Sequence, residues 1–199
     1  MKPMRIILAA IVGGIIMFGW GAFTHMALPA ILPQASMTPK PLPGEETIVP
    51  ALKASISEPG FYFFPPRGEQ LTPAEEEAWE AKLKAGPSGI MIYTPAGTSP
   101  MSPTQFGVEL LANIAAAFLA AILVSWLTCG YAGRLIACLF MGVFAWLTLE
   151  VSYVNWYNFP WQYAWGSLID QGGGWLVSGF AIAGIVGNRA PCAPPAPAA

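Results

Sequence analysis

The chain has 199 residues, of which 55% are hydrophobic and 10% are charged, and its net charge is -2 at pH 7. Soluble domains carry about 25% charged residues, so the composition excludes an ordinary water-soluble protein. The Lys and Arg residues are few and scattered, which excludes a basic surface for nucleic acid.

Four apolar stretches predict membrane-spanning helices, because about 20 apolar residues cross a hydrocarbon core about 30 Å thick. These stretches lie at residues 6–28, 106–127, 135–153 and 168–187. The predicted fold class is therefore a membrane all-α protein with four transmembrane helices and a small α+β cap between the first two. We divide the chain into helix one (1–28), the cap (29–105), helices two to four (106–187) and a cytoplasmic Pro/Ala-rich tail (188–199).

The first apolar stretch has two interpretations, an uncleaved anchor and a secretory signal peptide. Its apolar run is longer than the roughly 7 to 15 residues of a signal peptide core. The segment Ala27-Leu28-Pro29-Ala30 also lacks a clean small-x-small cleavage site, because a proline precedes its last residue. The sequence therefore favours an anchor.

The cap is marked by prolines and by aromatic runs. Residues 29–44 contain five prolines and predict an extended strap. Pro50 predicts the start of a short helix that ends near Ser57, since proline suits the first helical position. The run Phe61–Phe64 predicts a strand.

A second helix and a second strand complete the predicted cap. Thr72 as N-cap, followed by Pro73 and by Glu75 in the first turn, predicts a helix over residues 73–85. The run Ile90–Tyr93 predicts a strand that can pair with the first one. Because an isolated pair of strands is marginally stable, we expect helices or a partner to cover it.

The basic residues beside the predicted spans indicate the orientation. Lys2 and Arg5 precede the first span, Arg134 lies in the predicted turn between the second and third, and Arg189 follows the fourth. Cytoplasmic loops are enriched in Lys and Arg, so we predict a multi-pass protein of the bacterial inner membrane with both termini in the cytoplasm. The cap then faces the periplasm or the exterior.

The three cysteines lie near the predicted cytoplasmic face. Cys129, Cys138 and Cys192 match no compact metal-ligand spacing, and His25 is the only histidine. We interpret the cysteines as structural and expect no metal and no cofactor.

Small residues recur at helical spacing within three spans and predict close helix packing. The ridges comprise Gly179, Ala183 and Gly187 in the fourth span, Gly13 and Gly14 in the first, and Ala116 and Ala120 in the second. One interpretation is that they pack the four spans against each other. The other is that one ridge, most plausibly that of the fourth span, docks onto a foreign subunit.

A second group of candidate residues is polar and lies near the predicted outer face. It comprises His25, Glu109, Asn113, Glu150 and Asp170. Ionisable residues in membrane segments are costly and mark function by default. The residues either cap helix ends and solvate the rim, or they bind a cation, relay protons or neutralise an arginine of a partner.

Aromatic residues crowd the predicted loop between the third and fourth spans, over residues 154–167. The candidates are Trp156, Trp161, Tyr163 and Trp165. An aromatic belt at headgroup depth explains them, because Trp and Tyr are apolar rings with a polar tip. The alternative is a docking surface or a contact for a lipid, a quinone or a pigment.

Signatures of nucleotide-binding loops, zinc hydrolases and Ser-His-Asp hydrolases are absent from the sequence. The run Gly172-Gly173-Gly174 is interpreted as a flexible, tightly packed start of the fourth span. The motif Gly19-Trp20-Gly21-Ala22-Phe23-Thr24-His25-Met26, followed by Leu28-Pro29 and later by Glu58–Pro65, resembles a group of small uncharacterised bacterial inner-membrane proteins. That resemblance implies a location and no activity.

The sequence thus predicts a non-catalytic accessory, assembly or stabilising subunit of a larger bacterial membrane complex, plausibly an energy-transducing (respiratory or photosynthetic) one. Its expected partners are the lipid bilayer and other membrane protein subunits. The alternative is a membrane protein that handles a small molecule, an ion or protons with its polar rim.

Overall fold

The computed structural model describes residues 3–35 and 37–187, which form two compact units. The helical unit comprises the residues up to Thr38, Met101–Asn155 and the residues from Phe159 onwards. The sheet unit comprises Pro39–Pro100 and Trp156–Asn158. The predicted tail, with Arg189 and Cys192, lies outside the described residues, as does Lys2.

The described part of the chain is mostly helical and contains one small sheet. In chain order its elements are α1 (Pro3–Met26), α2 (Leu28–Ile31), a 3₁₀ turn (Pro33–Ala35), α3 (Glu45–Ser55), β1 (Gly60–Phe64), α4 (Pro73–Ala85), β2 (Gly89–Tyr93), α5 (Pro103–Trp126), α6 (Tyr131–Tyr157) and α7 (Trp161–Val186).

Three helices, α1, α5 and α6, are long and apolar enough to cross a membrane. These three candidate spans coincide with the first three predicted ones, and the chain has the features of a membrane protein. The prediction of four spans is not confirmed, because α7 has 26 residues but lacks the apolar composition of the others. Asp170, Gln171 and the glycines 172–174 lie in its middle and lower its hydropathy.

Within the helical unit, α1 packs antiparallel against both α5 and α7. A Cβ added at Gly14 would lie 2.5 Å from the Cα of Ile114 on α5. A Cβ added at Gly13 would lie 2.8 Å from the side chain of Ile182 on α7. Glycine at these two positions therefore lets α1 approach both neighbours closely, as small residues do in membrane helices.

The other side of α7 packs against α6. Gly179 faces Cys138, and Gly142 of α6 faces the backbone of Gln171. The Trp146 indole N–H donates to the Ala164 carbonyl at 2.6 Å. The close contacts at Gly142 and Gly179 and the hydrogen bond of the buried Trp146 indole thus hold α6 and α7 together.

Arg134 is buried at one end of this α6–α7 contact. Its Nε donates to the Ala183 carbonyl at 3.3 Å, and its Nη1 donates to the Cys129 carbonyl at 3.1 Å. Because α6 begins at Tyr131, Arg134 lies in its first helical turn. The prediction that Arg134 lies in the connection before this helix is wrong. The helix begins earlier than apolarity indicates because the carbonyls of Ala183 on α7 and of Cys129 before α6 satisfy the guanidinium.

The ends of α6 and α7 also differ from the prediction. The two helices continue through most of the predicted aromatic loop and leave only residues 158–160 between them. Asn158 ends α6 with a positive φ of 56°, and Pro160 is the N-cap of α7. A helix stops at backbone breakers and not at the edge of its apolar run, so the loop prediction is wrong.

The glycine run is likewise inside a helix. Gly172, Gly173 and Gly174 occupy the middle of α7 and do not form its start. A Cβ at Gly173 would lie 2.6 Å from the Trp20 ring, and Met17 meets Gly174. Large side chains of α1 therefore fill the space that these glycines leave, which keeps the run helical.

The sheet unit contains an antiparallel pair, β1 and β2, in which Tyr62 lies opposite Met91. Both strands and their pairing are confirmed. The predicted helix over residues 73–85 is confirmed as α4, whose Thr72 hydroxyl accepts from the Glu75 N–H while the Glu75 carboxylate accepts from the Thr72 N–H at 2.8 Å. This reciprocal cap explains why the helix start was predictable.

Two predictions for this region are wrong. The predicted strap contains α2 and the 3₁₀ turn, because Pro29 and Pro33 each occupy the beginning of a short helix, where proline is tolerated. The predicted helix from Pro50 begins at Glu45 instead and carries Pro50 inside it. Glu45 and Glu46 favour the earlier start, since acidic residues stabilise the first turn.

Candidate functional site

A cavity of about 660 Å³ lies in the helical unit between α1, α5 and α7. Its volume is within the range of about 300 to 1,000 Å³ that is typical of small-molecule sites. Its walls combine apolar and polar side chains. They comprise Met17, Phe18, Gly21, Ala22, His25, Met26, Met101, Gln105, Phe106, Glu109, Asn113, Asp170 and Gln171.

Asp170 lies at the α7 wall of this cavity and is held by two neutral donors. The Thr24 hydroxyl of α1 donates to Oδ1, and Gln171 Nε2 donates to Oδ2 at 3.2 Å. Thr24 is only 2% exposed, so its hydroxyl is fixed between the two helices. The aspartate is therefore held in position without a positive charge among these donors.

Glu109 and Asn113 supply the α5 wall. They lie one helical turn apart, and the Asn113 amide donates to the Glu109 Oε1 at 3.1 Å. His25 lies in the last turn of α1 and lines the same cavity. The structure thus brings together four of the five predicted polar-rim residues.

Glu150 does not line the cavity. It lies on α6, which packs against the other side of α7, and Ser167 of α7 is beside it. Its Oε2 is buried without a hydrogen-bond partner among the described residues. The structure therefore places two of the three carboxylates, Glu109 and Asp170, in the cavity wall, and Glu150 lies outside it but close enough to Asp170 for an electrostatic interaction.

The apolar wall was not predicted as part of a site. Phe18 and Phe106 meet edge to face with their ring centroids 6.3 Å apart, and Met17 lies beside them. Thr24 and Gln171 were also missed, although each directly precedes or follows a predicted residue. No periodic sequence pattern marks these side chains, because whether they line the cavity depends on how α1, α5 and α7 are rotated about their own axes.

The predicted small-residue ridges pack inside the chain. Gly13, Gly14 and Gly179 contact neighbouring helices, while Ala120 and Ala183 are buried in the core. Two positions differ from this pattern: Ala116 is half-buried, and Gly187 is the C-cap of α7 with the Arg5 guanidinium beside it. The ridge of α7 therefore faces α6 and not an open surface.

The predicted aromatic residues lie on helices. Trp161 and Trp165 are half exposed on the first turns of α7, and Trp165 stacks on Trp146 of α6 at 5.6 Å. Tyr163 contacts Phe159 edge to face. Trp156 lies in the last turn of α6 and belongs to the sheet unit.

The chemistry of the cavity favours a positively charged guest. Two carboxylates line the cavity beside neutral amides and apolar side chains, and among the described residues His25 is the one basic side chain in its wall, with no Lys or Arg. At residues 3–35 and 37–187, no three His, Cys, Asp or Glu side chains are arranged to hold a metal ion. The arrangement suits a molecule with an apolar body and a single cationic group.

Comparisons with protein-family models, with curated proteins and with solved structures find no match. The resemblance drawn from the N-terminal motif therefore stays a prediction, and the residues of the cavity carry the functional argument.

Proposed function

We propose that this chain is a bacterial inner-membrane protein that binds a small lipophilic cation in the cavity between α1, α5 and α7, without catalysing a reaction on it. The observation that carries the proposal is the convergence of Asp170 and Glu109 on an aromatic-walled space. A charge-charge interaction at 4 Å is worth about 4 kcal/mol at an effective dielectric constant of 20, which is enough to select the sign of a guest.

We propose that α7 is the fourth span. It contacts α1 from Gly187, beside Arg5, to Asp170, beside Thr24, so it follows α1 over most of the length of that helix. Its 26 residues correspond to a length of about 39 Å. Helices in the interior of a membrane bundle tolerate glycine and polar residues that a lipid-facing helix does not.

The proposed orientation places both termini in the cytoplasm. Arg5 lies at the start of α1 and Arg134 at the start of α6, and both contact the C-terminal part of α7. The two basic side chains therefore share one end of the helical unit, which the positive-inside rule assigns to the cytoplasm.

Two probes of equal shape and opposite charge test the binding proposal. The purified protein in lipid nanodiscs is dialysed to equilibrium against tetraphenylphosphonium or tetraphenylborate, with empty nanodiscs as the partition control. We expect binding of the cation above the empty-disc level and no such excess of the anion. Equal excess binding of both probes would refute a charge-selective site.

Three carboxyl variants locate the binding. Asp170→Asn and Glu109→Gln should each weaken tetraphenylphosphonium binding by about tenfold or more, because each removes one charge from the cavity wall. Glu77→Gln is the matched control, since Glu77 is an exposed carboxylate of the sheet unit that does not line the cavity, and it should leave binding unchanged. An unchanged affinity in Asp170→Asn would contradict the assignment.

The accessory-subunit hypothesis is a second candidate that a different observation favours. Trp161 and Trp165 are 52% and 50% exposed and offer a rigid aromatic surface to another membrane protein. Pull-down in mild detergent, followed by mass identification, should recover partners with the native chain. The double variant Trp161→Ala with Trp165→Ala should lose them, whereas identical recovery would remove this candidate.

A further inference from the structure

We infer that one face of the β1–β2 sheet is a bilayer-docking surface that inserts into the lipid headgroup region. The register places Phe61 opposite Ile92 and Phe63 opposite Ile90, so these four side chains share one face. Ile92 is 81% exposed and Phe61 is 60% exposed. Phe63 is exposed as well, and Ile90 is half-buried, so three of the four apolar side chains on this face are exposed.

The opposite face of the sheet is the one that the unit covers for itself. Val49 and Leu52 of α3 lie beside Met91 and Tyr93. The Tyr62 hydroxyl donates to the Glu58 carbonyl at 2.9 Å. Tyr62, Met91 and Tyr93 are half-buried on this face, although Phe64 beside them is 40% exposed. The face that carries Phe61 and Ile92 is therefore the more exposed of the two.

The exposed face adjoins the end of a candidate span. The Phe61 ring contacts Tyr157 edge to face, with the centroids 6.3 Å apart, and Tyr157 is the last residue of α6. Trp156 beside it is 75% exposed. Trp156 and Tyr157 belong to the sheet unit, so this unit itself carries, beside Phe61, the Trp and Tyr side chains that favour headgroup depth.

The chemistry of the face also fits lipid as the occupant. The strands Gly60–Phe64 and Gly89–Tyr93 contain no charged residue, while the acidic and basic side chains of the unit concentrate on α3 and α4. An apolar, aromatic face without charge is typical of segments that lie in the membrane interface. A lipid surface is continuous with the aromatic end of α6 and needs no second protein.

Spin labels at three sites test this inference in the full-length chain. Cys129 and Cys192 are replaced by Ser, and the buried Cys138 is kept. Single cysteines are then introduced as Ile92→Cys on the proposed surface, Phe144→Cys on the exposed side of α6, and Glu77→Cys on α4. Ile92 and Glu77 are both exposed side chains of the sheet unit, so they form a matched pair whose replacement does not disturb a core.

The measurement is the collision rate of each label with oxygen and with a water-soluble nickel chelate in phosphatidylcholine–phosphatidylglycerol vesicles. We expect the label at position 92 to lose nickel accessibility and gain oxygen accessibility relative to position 77. Its depth should lie between that of position 77 and that of position 144. The same label at Phe63→Cys, on the same face, should agree with position 92.

Each contrary outcome has a separate meaning. Water-like accessibility at position 92, with a lipid-like label at position 144, would overturn the docking inference and leave the membrane placement of α6 intact. A water-like label at position 144 would overturn the membrane placement itself, and the docking inference with it. Dipolar broadening at position 92 that grows with the protein-to-lipid ratio would show that a second copy covers the face, which also overturns a lipid occupant.

Discussion

The close approach of α1 and α5 at Gly14 should be the most sensitive point of the helical unit. An alanine Cβ at this position would lie 2.5 Å from the Cα of Ile114 and 2.7 Å from its backbone nitrogen. Carbon pairs rest at about 3.5 to 4.0 Å, so relief requires about 1 Å of separation between two backbones. No side-chain rotation can provide that separation.

The expected cost of Gly14→Ala is about 2 kcal/mol, within the range of about 1 to 3 kcal/mol for overpacked cores. This corresponds to a roughly thirtyfold change in the unfolding equilibrium constant. Reversible unfolding by dodecyl sulfate in mixed micelles, followed by circular dichroism, measures the free energy of unfolding. The variant should unfold at a lower mole fraction of the denaturing detergent than the native chain.

Two matched glycines of the same helix control this measurement. A Cβ at Gly19 meets no atom within 4 Å, so Gly19→Ala should not destabilise the protein and should stabilise it by up to about 1 kcal/mol through helix propensity. A Cβ at Gly13 meets side-chain carbons of Ile182, which can rotate, so Gly13→Ala should cost less than Gly14→Ala. Equal effects of Gly14→Ala and Gly19→Ala would refute the packing of α1 on α5.

Three further predictions concern α6 and α4. Arg134→Met should lower the free energy of unfolding by about 2 kcal/mol, because it removes charge-assisted bonds to carbonyls; full rescue by Lys in the same titration would contradict this geometry. Trp146→Phe keeps the ring but removes the N–H bond to the Ala164 carbonyl, and it should cost about 1 kcal/mol in that assay. Hydrogen bonds from the Thr72 N–H and hydroxyl lower the pKa of Glu75, so the capping box stabilises α4 at neutral pH and is lost as the pH falls through that lowered pKa. Thr72→Ala should return the pKa of Glu75 toward its ordinary value in a carbon-13 NMR titration, and an unchanged pKa would argue against the cap.

The elements that could be predicted are those whose sequence signals lie within a few neighbouring residues. The capping box at Thr72 and Glu75 fixed the start of α4, and the aromatic run of β1 marked its strand. What could not be predicted is the rotation of each helix, which separates Glu150 from the cavity and adds Phe18 to it.

Glycine explains a second group of wrong predictions. In water a glycine run weakens a helix, so residues 172–174 indicated a helix start. In the structure Met17 and Trp20 of α1 fill the space beside them, and this tertiary contact outweighs the local preference. The same residues make α7 less hydropathic than α1, α5 and α6. They are the residues that neighbouring helices cover.

Under the proposal that α7 is the fourth span, it is synthesised after the other three long helices, and its glycines, Ser178 and Asp170 make it the least able of the four to enter lipid alone. The surfaces of α7 that are unfavourable in lipid are those that α1 and α6 cover. Insertion of α7 is therefore coupled to its packing against helices that are already in the bilayer. A nascent chain without α1 should therefore release its final hydrophobic segment into the aqueous channel, while α5 and α6 integrate normally.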